Sequence, residues 1–69
     1  MQGTQDIQQQ SLLLNIPQVM DLLGLSRSKV YKLIQFEGLP VLRFGRSVRV
    51  SRTSLQRWLV EREQQSRIN

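Results

Sequence analysis

Apolar positions in this chain come in short groups, each bounded by polar or turn-forming residues. The first ten residues, "MQGTQDIQQQ", are Gln-rich, with one isolated Ile7 and no period. Leu12, Leu13 and Leu14 follow as a short extended lead-in. Asn15 is a good helix N-cap, Gln18 three residues on completes a capping box, and Pro17 falls in the first turn, where its missing N–H does no harm. Ile16, Val19, Leu22 and Leu23 then recur at i, i+3, i+6 and i+7, the apolar face of a short helix that Gly24 stops. Ser26 is a second N-cap, opening a helix over about residues 27–36 with Val30, Leu33 and Ile34 as its buried stripe. Gly38 and the Leu39-Pro40 pair end it. The link "GLS" between the two helices is so short that they cross steeply, as in a helix-turn-helix.

Over residues 41–50 the pattern changes to β-branched alternation, broken at Phe44-Gly45-Arg46-Ser47, which predicts a hairpin. Leu42 and Phe44 share one side of its first strand and Arg43 takes the other; Val48 and Val50 share one side of the second, with Arg49 opposite. An odd-length loop pairs Leu42 with Val48, collecting the apolar residues on one face and Arg43, Ser47 and Arg49 on the other. A two-residue loop mixes them, so the pattern favours the odd loop. Phe44 is left with two roles, a contact at the hairpin tip or a lid on the core. A last helix starts near Ser51 and runs to about Gln64, with Leu55, Trp58 and Leu59 as core stripe and Arg52, Gln56 and Glu63 outside. The expected organisation is a disordered tail over 1–11, a folded domain over 12–64 and a frayed end over 65–69. The domain is mainly α with a small β-hairpin: a winged helix-turn-helix made of two crossed helices, a two-stranded wing and a C-terminal packing helix.

Composition limits what such a domain can be. At 69 residues it is near the size at which packing alone holds a fold, and it has no cysteine and no histidine. Neither disulfides nor ordinary zinc sites can support it, and the lack of cysteine fits a reducing cytoplasm. No apolar run approaches the roughly 18 residues of a membrane span, and the polar start is no signal peptide. The expectation is a cytoplasmic protein. Ten Lys and Arg against five Asp and Glu give a net charge of +5. Between Arg27 and Arg57 there are eight basic residues and one acid, Glu37. A basic centre between mildly acidic ends points to an anionic partner for the middle of the chain.

Catalysis has little to work with. There is no His or Cys, no carboxylate pair in an apolar setting, and no phosphate-cradling glycine loop. Tyr31 near basic residues has the look of a DNA-attacking nucleophile, but such chemistry needs a much larger scaffold. No metal or cofactor is expected. On the second helix, inward-pointing Val30, Leu33 and Ile34 leave Ser28, Lys32 and Gln35 on the outer face, with Lys29 and Tyr31 on its flanks and Arg27 in the first turn. Short hydrogen-bonders, long cations and an amphipathic ring suit a DNA major groove: Lys and Arg reach guanine or phosphate, Gln pairs with adenine, Tyr holds a phosphate. The plainer alternative is a solvated helix face. A basic hairpin directly after such a helix pair forms a wing, and Arg43, Arg46, Arg49 and Arg52 are all arginine, the cation best suited to phosphate forks and narrow minor grooves. Against that stands pairing of single arginines with Glu37 or Glu61. Trp58, three residues after Leu55, is read as core.

The segments "LLNIPQVMDLLGLSRSKVYKLI", "LPVLRFGRSVRV" and "SLQRWL" occur in an order and spacing that resemble the small winged-helix domains of the excisionase type, related to the DNA-binding heads of MerR-like regulators. The likeness runs from Leu13 to Leu59 and rests on the Leu-Leu-Gly-x-Ser-Arg-Ser-x-Val-Tyr turn, the Pro-x-x-Arg-x-Gly-Arg-x-x-Arg wing and the closing Leu-x-x-Trp-Leu. It implies that Arg27, Ser28, Tyr31 and Lys32 meet the major groove, and that Gly45 and Arg46 form the wing tip with Arg43 and Arg49 on its flanks. No long dimerising coiled coil is expected after the third helix, so the resemblance implies the stand-alone excisionase type rather than a full MerR-type regulator. The resemblance therefore implies a factor of a mobile element that binds double-stranded DNA and directs a site-specific integrase or other recombinase toward excision. The expected protein is monomeric when free and cooperative on DNA. A compact transcriptional repressor of the same fold is the alternative, and a module gripping an acidic protein a more distant one.

Overall fold

The computed structural model describes residues 11–66, which form β1 (Leu13–Leu14), α1 (Ile16–Leu23), α2 (Arg27–Phe36), β2 (Leu42–Phe44), β3 (Ser47–Ser51) and α3 (Arg52–Ser66). This is a winged helix-turn-helix, mainly helical with a small sheet, as the patterning predicts. The tail expected over 1–11 lies, Ser11 apart, outside the described residues, as do 67–69. α3 continues two residues beyond the predicted Gln64, because its Glu, Arg and Gln residues favour helix and no Gly or Pro stops it.

Local chemistry sets the helix ends. Asn15 Oδ1 accepts the Gln18 N–H and Gln18 Oε1 accepts the Asn15 N–H, both at 2.8 Å, so the capping box is complete. Gly24 takes φ 67°, a left-handed conformation that costs glycine nothing, and α1 ends there. Ser26 Oγ then accepts the Lys29 N–H at 3.2 Å and starts α2. At the far end of α2 the amides of Glu37 and Leu39 both donate to the Leu33 carbonyl, at 3.0 and 3.1 Å. α3 has no loop before it. β3 passes directly into the helix, Ser51 Oγ accepts the Ser54 N–H at 3.2 Å, and the Arg52 N–H donates to the Leu12 carbonyl at 2.8 Å.

The core consists of Leu14, Ile16, Val19, Val30, Leu39, Val50 and Leu55, with no buried polar or charged side chain among the described residues. Leu39, read from the sequence only as part of a helix stop, is one of the buried seven. Leu23, Leu33, Ile34 and Trp58 are partly buried against this core, and two positions predicted for the apolar helix faces, Leu22 and Leu59, are exposed. Leu22 is 55% exposed, because at 100° per residue position i+6 stands about 120° from Ile16, while Met20 at i+4 packs inward in its place. Leu59 is 38% exposed and lines an open groove with Leu22, Leu23 and Leu55.

The sheet has the order β1-β3-β2 and is antiparallel throughout. The Leu-rich lead-in is therefore a third strand, pairing Leu13 with Ser51 and Leu14 with Val50. In the hairpin Leu42 faces Arg49, Arg43 faces Val48 and Phe44 faces Ser47, so the loop has two residues, Gly45 and Arg46, and not the odd number expected. Turn chemistry overrides apolar alternation here. Gly45 has φ 61° while no non-glycine residue among those described has positive φ, the pattern of a two-residue II′ turn with glycine at its first central position. Opposed residues share a face, so Leu14, Val50, Val48 and Arg43 lie on the core side, and Leu13, Ser51, Arg49, Leu42, Ser47 and Phe44 on the outer side. The predicted single face of Arg43, Ser47 and Arg49 does not exist. Phe44, on the outer side and more than half exposed, is no lid on the core.

For a chain of this size the generic net stability is about 3–10 kcal/mol. Leu55→Ala, at a buried position, should remove about 2–5 kcal/mol of it, whereas Leu59→Ala should cost less than about 1 kcal/mol. Urea unfolding of the two variants measures this; equal losses would show that Leu55 is not packed into the core as described.

Candidate nucleic-acid interface

α2 is held at both ends and by its inner stripe, so its outer residues have a fixed direction. Val30 is fully buried and Leu33 and Ile34 pack against the core. Measured from Val30 at 100° per residue, Gln35, Ser28 and Lys32 fall at about 140°, 160° and 200°, the pole away from the core. Arg27 and Tyr31 lie on one flank, Lys29 and Phe36 on the other. Arg27, Ser28, Lys29, Tyr31, Lys32 and Gln35 are all exposed, as the sequence predicts. Phe36, used in the sequence reading only as the end of the helix, is also exposed; its signal was an apolar residue outside the buried stripe.

The C-terminal end of α2 is clamped from α3. Trp58 Nε1 donates to the Glu37 carbonyl at 3.1 Å, the Arg62 guanidinium lies 5.0 Å from the centroid of the Trp58 ring, and Arg62 pairs with Glu37 Oε1 at 2.7 Å. Both members of that pair are well exposed, so it adds at most about 1 kcal/mol, and its main effect is on charge. The single acid of the basic segment is taken by an arginine from outside it. Arg27, Lys29, Lys32, Arg43 and Arg46 make no ion pair among the described residues.

The hairpin arginines divide. Arg46, at the second position of the turn, and Arg43, at the distal end of the core-side face, are exposed. Arg49 is half-buried on the outer face, its Nη1 donating to the Val48 carbonyl at 2.9 Å. Arg52 is set apart from these. Its Nε donates to the Ser11 carbonyl at 3.0 Å, and its side chain lines a groove with Gln18, Asp21 and Leu22, tying the lead-in to the start of α3. The structure thus brings six of the expected contact residues together on α2 and places Arg43, Gly45, Arg46 and Arg49 on the wing, with Arg52 at the base of the sheet.

The family model described as a helix-turn-helix domain matches residues 13–63, from β1 to the last turns of α3. The chain belongs to the helix-turn-helix domain family. Members of this excisionase-like family are small DNA-binding domains, which makes duplex DNA the anionic partner that the basic segment indicates. Neither the curated proteins nor the solved structures yield a match to the chain. Among the described residues of this helix-turn-helix domain, no helix is long and apolar enough to cross a membrane, and no three His, Cys, Asp or Glu residues are grouped to hold a metal ion.

The wing turn offers a direct check. A Cβ added at Gly45 would meet nothing within 4 Å, so only the backbone conformation resists substitution. Gly45→Ala should destabilise the domain by about 1–3 kcal/mol. Gly45→D-Ala, made by chemical synthesis, prefers positive φ and should be neutral or stabilising. Thermal melts that rank the two enantiomers equally would rule out the turn described.

Proposed function

We propose that this domain binds duplex DNA sequence-specifically, with α2 in the major groove and the hairpin on the neighbouring backbone or minor groove. Ser28, Lys32 and Gln35 address base edges, while Arg27, Lys29 and Tyr31 reach phosphates along the groove walls. Arg43 and Arg46 supply the wing contact, Arg49 supports it from the outer face, and Gly45 lets the tip approach closely. Arg52 acts through the fold, holding the base of the sheet. The observation that carries this reading is the outer face of α2, where six polar or cationic side chains are exposed on a helix fixed by burial of Val30 and clamped at Glu37. No chemical step is assigned to the domain.

A single module of this size buries only roughly 600–1,000 Å² on DNA. Firm occupancy then needs repeated sites or a neighbouring protein, which favours a chain that is monomeric in solution and cooperative on DNA. Its role is that of an excisionase, a recombination directionality factor of a mobile element that acts in the cytoplasm beside a site-specific integrase. This last step is supported by the likeness of the turn, wing and closing-helix motifs to the excisionase type. A recombination reaction reconstituted with a site-specific integrase and its attachment sites tests the role: the protein should shift the products toward excision. Repression of an adjacent promoter with no effect on recombination would instead make it a compact transcriptional regulator.

DNA binding itself has a quantitative signature. With about four phosphates neutralised, log K should fall against log salt with a slope near about −3.6. Ser28→Ala and Lys32→Ala should each relax base preference at one position, losing about 1–3 kcal/mol of discrimination. Arg46→Ala should weaken binding to all sequences alike and make the slope shallower by about 0.9. Salt titrations by fluorescence anisotropy, with footprinting of each variant, measure these changes. A salt-independent association, or unchanged affinity for Arg46→Ala, would sink the assignment.

A further inference from the structure

Phe36, the last residue of α2, is 75% exposed, more than any other large hydrophobic residue among those described except Leu12. Nothing within the fold asks for an aromatic there. The core does not take the ring, phenylalanine is a middling helix former, and an exposed phenyl group costs solubility. Its position is informative. Phe36 stands one turn beyond Lys32 and two beyond Lys29, so the three form one stripe along the exposed side of the helix, with Gln35 next to the ring. Two cations select a polyanionic surface, and the ring at the end of their stripe needs an apolar feature on that same surface. In the major groove base edges present one such group, the C5-methyl of thymine.

We propose that Phe36 is a specificity-determining residue that reads a thymine methyl at one end of the site recognised by α2. The proposal rests on the duplex-DNA reading given above and goes beyond it, since that reading gives base selection only to polar side chains. The helix sets the spacing. From Ser28 to Phe36 the rise is about 12 Å at 1.5 Å per residue. At about 3.4 Å per base pair, the thymine lies about three to four base pairs from the pair contacted by Ser28.

The experiment starts by selecting a binding site from random-sequence duplexes with the full chain, then replacing each thymine singly by deoxyuridine, which removes only the methyl. One replacement, about three to four base pairs from the position where Ser28→Ala relaxes preference, should weaken wild-type binding about fourfold, the effect of one buried methyl. Phe36→Ala should bind the thymine and deoxyuridine duplexes equally, both at the weakened level, with an unchanged circular dichroism spectrum and melting temperature because the side chain is exposed. Phe36→Leu should retain part of the thymine preference. If Phe36→Ala keeps the wild-type thymine-to-deoxyuridine ratio, or if no single deoxyuridine weakens the wild type, the proposal is overturned while DNA binding stands. If no sequence is enriched by the wild type, the proposal and the sequence-specific reading beneath it fall together.

Discussion

Val50 is where the domain closes on itself. The residue is fully buried opposite Leu14, in the middle strand of the sheet, and β3 packs against β1, β2, α1 and α3. With seven buried apolar side chains among the described residues and no cysteine, the packing around this strand is the main bond between the elements, and the ties of Trp58, Arg62 and Arg52 add to it. Burial of that one strand fixes where the lead-in returns, where the wing projects and where the last helix begins. It also leaves the charge outside. No polar or charged side chain is buried among the described residues, so the cations of α2 and the turn cost the interior nothing.

The parts of this fold that are legible in the sequence are those set by near neighbours. The Asn15–Gln18 box, the Ser26 cap, the stop at Gly24 and the Val30 stripe all depend on residues within a turn or two, and the structure has each of them. What alternation alone misjudges is the wing register. A hydrophobic pattern argues for an odd loop, yet Gly45 at positive φ closes a two-residue turn and leaves Leu42 and Phe44 facing outward. The glycine itself was the better signal, because turn geometry fixes register when the strands are only three to five residues long. β1 as a third strand, Leu39 as core and the tie of Arg52 to Ser11 across 41 residues depend on tertiary contacts that no local pattern contains.

The candidate interface divides in the same way. The outer face of α2 follows from helical geometry once Val30 is known to point inward, so its residues can be named from the sequence. Which arginines of the hairpin share a face cannot, because that depends on the turn. The clamp formed by Trp58, Arg62 and Glu37 spans more than 20 residues and turns the one acid of the basic segment into an anchor for the end of α2. A charge count sees Glu37 as a subtraction from the basic field; the structure makes it part of what aims the helix.

The junction at Ser51 and Arg52 has a mechanical consequence. Strand and helix meet there with no linker, the first helical amide is pinned to Leu12 and the serine caps the turn that follows. A hinge needs a residue whose φ and ψ are free to change, and here both neighbours are committed to hydrogen bonds. A load applied at the tip of the hairpin is therefore not absorbed in a loop. β3 joins the tip directly to α3, so the wing and the last helix hold one relative orientation.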